Sequence, residues 1–167
     1  SIMNPVLDKA AAFFIEYHFK RWAKNKELVD VTGVKSFPAL CRLVALHWAR
    51  DGEAFILLNR NAQNRYGLSL RVVRPDACPE WLNRTAENGN WIRNGVEVVP
   101  ETYKPVAYWF DGREEDSTAP VVFRGQTHNL VRFPASDVVH VYMQNDECQT
   151  RGVPLAHAGL KPGKMLE

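Results

Sequence analysis

Residues 36–59 read SFPALCRLVALHWARDGEAFILLN, and the hydrophobic period changes inside this stretch. Phe37, Leu40, Cys41, Val44 and Trp48 recur at i, i+3, i+4, i+7 and i+11, which is the apolar stripe of an amphipathic helix. Ser36 can cap that helix, and Pro38 is tolerated in its first turn. Gly52 ends it, a common use of a residue free to take positive φ. From Glu53 to Asn59 the chain reads as a strand. The junction of Asp51, Gly52 and Glu53 therefore divides a helical part from a strand-rich part.

Upstream, Asn4 is a good cap and Pro5 suits a first turn, so a helix is expected over about 5–24. Val6, Ala10, Phe13 and Tyr17 fall on one face of it and Phe14 widens that face. Asn25 to Lys35 is polar, contains Gly33, and reads as a connection. Downstream, Leu68 to Arg74 reads as a strand joined to the first by the turn-rich residues Asn61 to Gly67, which predicts a hairpin. Pro75 to Asn90 reads as a loop with a brief helical turn. Asn94-Gly95 is a strong turn signal between Trp91-Ile92-Arg93 and Val96 to Val99. Pro105 to Phe110, Val121 to Arg124, Leu130 to Phe133 and Val138 to Met143 complete the strands, with a mobile tip expected over Arg113 to Pro120.

The fold class is α+β: N-terminal helices over about 5–24 and 36–51, then a mostly antiparallel sheet region over about 53–143. Residues 1–167 are expected to form a single domain. Its helical part is 1–52, its β-rich part 53–150, and its C-terminal turn or helix 151–167. Gly159 and Lys161-Pro162-Gly163 work against a long helix at that end.

The chain's 167 residues can bury a real core, and 46% hydrophobic with 24% charged residues fits a globular protein rather than a disordered one. A formal charge of +2, with Glu114-Glu115-Asp116 breaking any basic stripe, argues against a nucleic-acid-binding field. No apolar run approaches the length needed to span a bilayer. Cys41, Cys78 and Cys148 are far apart and odd in number, which suits reduced thiols better than a disulfide framework or a zinc site.

Catalytic chemistry is not announced. There is no G-x-S-x-G turn, no Gly-rich phosphate loop, and no cue tying a cysteine to a histidine. His18, His47, His128, His140 and His157 lack the i, i+4 pairing of a helical metal site and read as hydrogen-bonded core or surface histidines. Asp51 and Glu53 can be imagined as paired carboxylates, but a helix end passing into a strand accounts for them. Catalytic residues, metal ligands, cofactor-binding residues and cofactors are therefore all expected to be absent.

Ser136 to Pro154, SDVVHVYMQNDECQTRGVP, holds the strand Val138 to Met143, a polar turn, and then Gln149-Thr150-Arg151-Gly152 before Val153-Pro154. This wording closely resembles the lambda-type portal proteins of tailed bacteriophages, in which a strand-borne "VxHxF/Y" phrase leads to "QTRGxP". Trp48 to Phe55 (WARDGEAF) is similar to the family's helix-end "DGExF". Asn90 to Phe110 is similar to its "I-x-x-GVE…P-VAY" phrase. The likeness runs from about Phe14 to Ala158 and covers the wing-like middle region of a larger portal protein. The ending from Lys161 to Glu167 departs from the family's pattern, which implies a truncated chain or a broken prophage gene.

The resemblance implies a structural subunit of a ring at one capsid vertex, through which DNA is packaged and ejected. Its implied partners are copies of itself in a dodecameric ring, the terminase large subunit, head-tail connector proteins and capsid protein. Double-stranded DNA passes through the channel, with weak contact only for this fragment, which alone can be monomeric. The implied location is the virion, with assembly in the host cytoplasm, and no enzyme activity is implied. A nucleic-acid-binding module is the alternative reading, and a small enzyme the next.

Gln149, Thr150, Arg151 and Gly152 form the candidate structural or subunit-contact loop. Arg151 carries a planar fork of donors suited to a carboxylate or carbonyl pair. It either fixes this loop, to the chain's own sheet or to an adjacent subunit, or is an incidental surface arginine.

Overall fold

The computed structural model describes residues 8–112, 119–123 and 126–156. The helix start expected at Asn4-Pro5, residues 113–118 of the tip expected over Arg113 to Pro120, and residues 157–167 with His157 lie outside them, as does the side chain of His128, whereas Ala119 and Pro120 of that tip belong to a strand. Helices come first and antiparallel strands follow, in the α+β order read from the hydrophobic period.

Helix α1 (Lys9–Lys24) begins several residues later than Pro5. Asp8 is extended, and its carboxylate accepts from the backbone N–H groups of Ala10 and Ala11 at 2.9 and 3.1 Å, an N-cap. Asn25 ends this helix and at once caps a short α2 (Lys26–Val29), accepting from Glu27 N–H at 3.0 Å. That single turn lies within the stretch read as a connection. Helix α3 (Phe37–Asp51) stops at Gly52, which sits at φ 85°.

Among the described residues nine strands follow: β1 (Glu53–Asn59), β2 (Ser69–Val73), β3 (Arg84–Thr85), β4 (Trp91–Arg93), β5 (Val96–Val98), β6 (Pro105–Asp111), β7 (Ala119–Phe123), β8 (Gln126–Pro134) and β9 (Val138–Tyr142). They form two sheets rather than one continuous region. The smaller has the order β2-β1-β9 and the larger β3-β4-β5-β6-β8-β7, with antiparallel ladders throughout. The β4–β5 loop closes on Arg93↔Val96, and Asn94 and Gly95 both take positive φ (52° and 82°), which a two-residue hairpin turn of the right twist requires.

Strand alternation sets the layers. Phe55 and Leu57 of β1 point toward the larger sheet and meet Val96, Val98, Tyr108 and Phe110 in the central core. Ile56 and Leu58 point the other way, toward the helices, where Trp22, Ala23, Val29, Leu40 and Leu70 are buried. A third cluster, Leu82, Ile92, Trp109 and Leu130, lies on the outer face of the larger sheet. Strand β1 is thus covered on both faces, which is why AFILL runs without polar alternation.

One expected face is corrected. Phe13 and Tyr17 of α1 are exposed, and the buried residues of this helix are Trp22 and Ala23. Only the last turns of α1 lie over the sheet, where Trp22 Nε1–H donates to the Leu68 carbonyl at 3.0 Å.

Candidate functional site

Glu53 begins β1 on the same face as Phe55, so its carboxylate enters the space between the sheets. Across the ladder Glu53 is opposite Tyr142, and Phe55 is opposite His140. The His140 ring stacks on both Phe55 and Tyr142, with centroids 4.2 Å away and interplanar angles of 24° in each case. Its Nε2 lies 2.9 Å from Glu53 Oε2. An ionised carboxylate can only accept, so a neutral His140 carries its proton on Nε2 and donates it there.

After β9 the chain turns back through a loop organised by Gln149. Its Oε1 accepts from the N–H groups of Asn145 and Asp146 at 2.7 and 3.3 Å. Its Nε2 donates to the carbonyls of Met143 and Arg151 at 3.3 and 2.6 Å. Tyr142 Oη–H donates to the Gln149 carbonyl at 3.1 Å. This folding delivers Arg151 into the gap beside Glu53, with Thr150 buried next to it.

The Arg151 guanidinium is buried and fully engaged. Nε donates to Glu53 Oε1 at 2.8 Å and approaches Oε2 at 3.1 Å, and Nη2 donates to Oε1 at 2.5 Å. Nη2 also donates to the Pro75 carbonyl at 3.1 Å, and Nη1 donates to the carbonyls of Cys78 and Asn94 at 2.9 and 2.7 Å. These bonds use every N–H a guanidinium has. Gly152 N–H adds a bond to Glu53 Oε2 at 2.8 Å. One side chain thereby ties the start of β1, the turn after β2, and the β4–β5 hairpin of the other sheet.

The two backbones touch here. A β-carbon at Gly152 would lie 2.6 Å from the Gly52 carbonyl carbon, and one at Gly52 would overlap the Val153–Pro154 peptide. The glycines of the two segments are what allow Arg151 to come so close.

Burial works to raise the pKa of Glu53, but the bonds from His140 and Arg151 outweigh it and hold the carboxyl below its ordinary value. Burial lowers His140, and the neighbouring Glu53 only partly offsets it. Burial pushes the Cys78 thiol up to about 12, so it stays protonated beside Arg151. The cluster is thus one carboxylate, one guanidinium and a neutral imidazole. Every N–H of the guanidinium is occupied within the chain, and the cluster holds three segments of it together.

A pH dependence follows. His140 resists protonation in the folded chain, whereas the unfolded chain takes a proton near 6.5, so stability is present above that pH and lost as pH falls below it. Glu53 adds a second loss below 4.5, where the unfolded carboxyl protonates first. Chemical denaturation at a series of pH values should show stability declining from pH 7 to 5.5, with His140 contributing at most about 1.4 kcal/mol per pH unit. His140→Gln should flatten this upper stage and keep the lower one. An identical slope in both proteins would contradict a neutral buried His140.

The other candidates lie apart from this cluster. Asp51 turns away from Glu53 to the surface of α3, where Arg50 Nε and Nη2 donate to its carboxylate at 2.7 Å each. The Arg50 bonds, helped by His47, hold Asp51 down to about 2. His18 lies 3.4 Å from Tyr66 Oη, and His47 lies 3.1 Å from Asp51 Oδ2. Cys41 and Cys148 are exposed and Cys78 is buried. Among the described residues no group of three or more His, Cys, Asp or Glu is placed to hold a metal ion.

A second polar centre was not read from the sequence. Glu97, flanked by inward-facing Val96 and Val98, is 1% exposed on the opposite face of β5. Its carboxylate accepts from Arg132 Nε and Nη2 at 2.8 and 3.1 Å, from Asn88 and Asn90 at 3.0 and 2.9 Å, and from Trp109 Nε1 at 3.3 Å. The bonds from Arg132 come first among the causes that bring it down to about 2. The Val-Glu-Val alternation predicts a residue facing away from the central core, but nothing local signals Arg132 as its partner.

The sequence pattern of the family "Phage portal protein, lambda family" matches residues 6–167. The chain belongs to the lambda family of phage portal proteins. A curated relative, the probable portal protein of Halomonas phage phiHAP-1, is 34% identical over 145 residues, which is 87% of this chain. The chain spans about a quarter of that relative's length (27%). The three portal-type phrases, separate in the sequence, meet at one guanidinium: Glu53 from the first, the Asn94 carbonyl from the second, and Gln149 to Gly152 from the third.

Proposed function

We propose that this chain forms part of the structural body of a portal subunit, a wing-like segment of the ring at a capsid vertex through which DNA enters and leaves. Support comes from the family match together with the Arg151 junction, in which the guanidinium spends every donor inside the chain and links β1 and the turn after β2 to the β4–β5 hairpin of the larger sheet. A ring wall that bears load during packaging needs segments that do not slide, and a buried charge-assisted tie supplies that. On this reading the parent assembles into a twelve-membered ring and meets the terminase large subunit, head-tail connector proteins and capsid protein. It resides in the virion after assembly in the host cytoplasm, and Gln149, Thr150, Arg151 and Gly152 serve a structural role rather than a catalytic one. Residues 1–167 fold as one domain of that larger subunit.

Expression of the complete reading frame that encodes this chain, followed by electron microscopy and mass photometry, tests the proposal. A closed ring with a central opening supports it, and a stable monomer or dimer contradicts it. The isolated chain, at a formal charge of +2, should bind duplex DNA with a dissociation constant of about 10⁻⁴ M or weaker at physiological salt. A gel shift at nanomolar protein would favour the nucleic-acid-binding alternative.

A further inference from the structure

A hollow of about 410 Å³ lies over Glu97 on the outer face of the larger sheet. That volume is within the range of small-molecule sites. Buried Glu97 and Trp109 form its floor, and exposed Arg84, Glu87, Asn88 and Arg132 form its rim. The β3–β4 turn that closes one side is fixed by its own backbone. Gly89 N–H donates to the Ala86 carbonyl at 3.0 Å, and Ala86 N–H donates to the Asn90 carbonyl at 2.8 Å.

Donors and acceptors are unequally used in this hollow. Glu97 accepts two bonds from Arg132 and one each from Asn88, Asn90 and Trp109, so neither oxygen is left for a metal ion or a ligand's donor. Asn88 is spent as well, since its Oδ1 accepts from Asn90 N–H at 3.1 Å. Arg132 gives only its Nε–H and one Nη2–H to Glu97. The rest of a guanidinium's five N–H groups find no acceptor among the described residues. The Arg84 guanidinium lies 5.5 Å from the centroid of the Trp109 ring and makes no hydrogen bond among the described residues. Against these unspent donors stands one exposed acid on the rim, Glu87.

Glu97 also presets Arg132. Its carboxylate is 1% exposed and grips one edge of the guanidinium, which leaves the opposite edge in a fixed plane for a second acceptor. Such an ion pair contributes little net stability, because its Coulombic gain hardly exceeds the cost of desolvation. Its clearer effect is to hold an arginine in place beside a hollow.

We propose that this hollow binds an oxyanion, a carboxylate or phosphate group, between the free edge of Arg132 and the guanidinium of Arg84. Both cations carry the planar fork of donors that such groups accept in pairs. Glu97 is the positioning residue, and Glu87 opposes the ligand through its charge. The site lies wholly within this chain and does not depend on ring assembly.

The test is a nuclear magnetic resonance titration of the isotope-labelled 167-residue chain with sodium phosphate and, separately, sodium succinate. Sodium chloride at matched ionic strength and the same pH is the control. The Trp109 indole N–H and Arg132 Nε–H signals report on the hollow. Either oxyanion should move them saturably with a Kd of about 1–10 mM, the affinity that a few charge-assisted bonds to a small ion supply. The tighter of the two identifies the preferred group. Arg84→Gln should weaken binding about tenfold or more, and Glu87→Gln should tighten it about two- to threefold. Both positions are exposed and neither bonds to Glu97, so amide signals away from the hollow should not move. If they do move in Arg84→Gln, Arg84→Lys takes its place; it keeps the charge without the fork and should still weaken binding. Arg132 is left intact, because its loss would strand the Glu97 charge. Shifts that stay linear with both oxyanions, or that chloride reproduces, overturn the proposal. So does saturable binding that is the same in wild type and the Arg84 variant.

Discussion

Replacing Arg151 with alanine is expected to lower the unfolding free energy by about 3–5 kcal/mol, the cost of leaving one partner of a buried ion pair uncompensated. For a domain of this size that corresponds to a melting temperature lower by roughly 10 °C. The loss is large because several groups are orphaned together. Glu53 keeps only His140 and the Gly152 N–H, and the carbonyls of Pro75, Cys78 and Asn94 lose a donor. Arg151→Lys should recover only part of it, since an ammonium cannot reproduce the fork that spans Glu53 and three carbonyls. Arg65→Ala is the control: Arg65 is exposed, lies 5.3 Å from the Tyr66 ring, and should cost no more than about 0.5–1 kcal/mol. Thermal melts of the four proteins check the order. Equal melting temperatures for Arg151→Ala and Arg65→Ala would make Arg151 an ordinary surface residue.

The second large effect is expected at Gly52. Gly52 and Gly89 have nearly the same positive φ, 85° and 83°. A β-carbon at Gly89 meets nothing within 4 Å, whereas one at Gly52 overlaps the Val153–Pro154 backbone. Gly89→Ala should therefore cost only the conformational term, about 1–2 kcal/mol. Gly52→Ala carries that term and must also push the 151–154 segment away, which adds roughly 1–3 kcal/mol of overpacking before any loss at Arg151 is counted. Denaturant titrations give the difference directly. If the two variants lose the same stability, the close approach of the two backbones is not a constraint on the fold.

Local signals in the sequence were legible where short-range physics decides the structure. The helical span of α3, the stop at Gly52 and the Asn94-Gly95 turn all appear as read, because each depends on residues within one or two turns of itself, whereas of the stripe on α3 Leu40 is buried and Cys41 is exposed. What was not legible depends on distance. The separation of the strands into two sheets turns on β9 pairing with β1 across most of the chain, and no local period encodes that. The face of α1 was misread because amphipathic spacing identifies an apolar face but not how far along the helix a partner extends. Helix α2 is too short to show a period at all.

The same limit applies to the site. Arg151 stood out from its own phrase, but its partner Glu53 lies far upstream, at the helix-to-strand junction noted for a different reason. The remaining acceptors are backbone carbonyls of Pro75, Cys78 and Asn94, which have no side-chain signature. Glu97 and Arg132 were missed for a related reason. They are brought together on the outer face of the larger sheet, where β5 and β8 lie on either side of β6.

The claim that Arg151 and Glu53 act as one unit joining the two sheets is tested most directly by a double-mutant cycle. Unfolding free energies would be measured for wild type, Arg151→Ala, Glu53→Ala and the double variant. The junction predicts a coupling of at least about 2 kcal/mol, with the double variant little worse than the poorer single one, because removing both charges leaves neither buried alone. Losses that add to within about 0.5 kcal/mol would mean that the two residues contribute independently, and the junction as described here would be wrong.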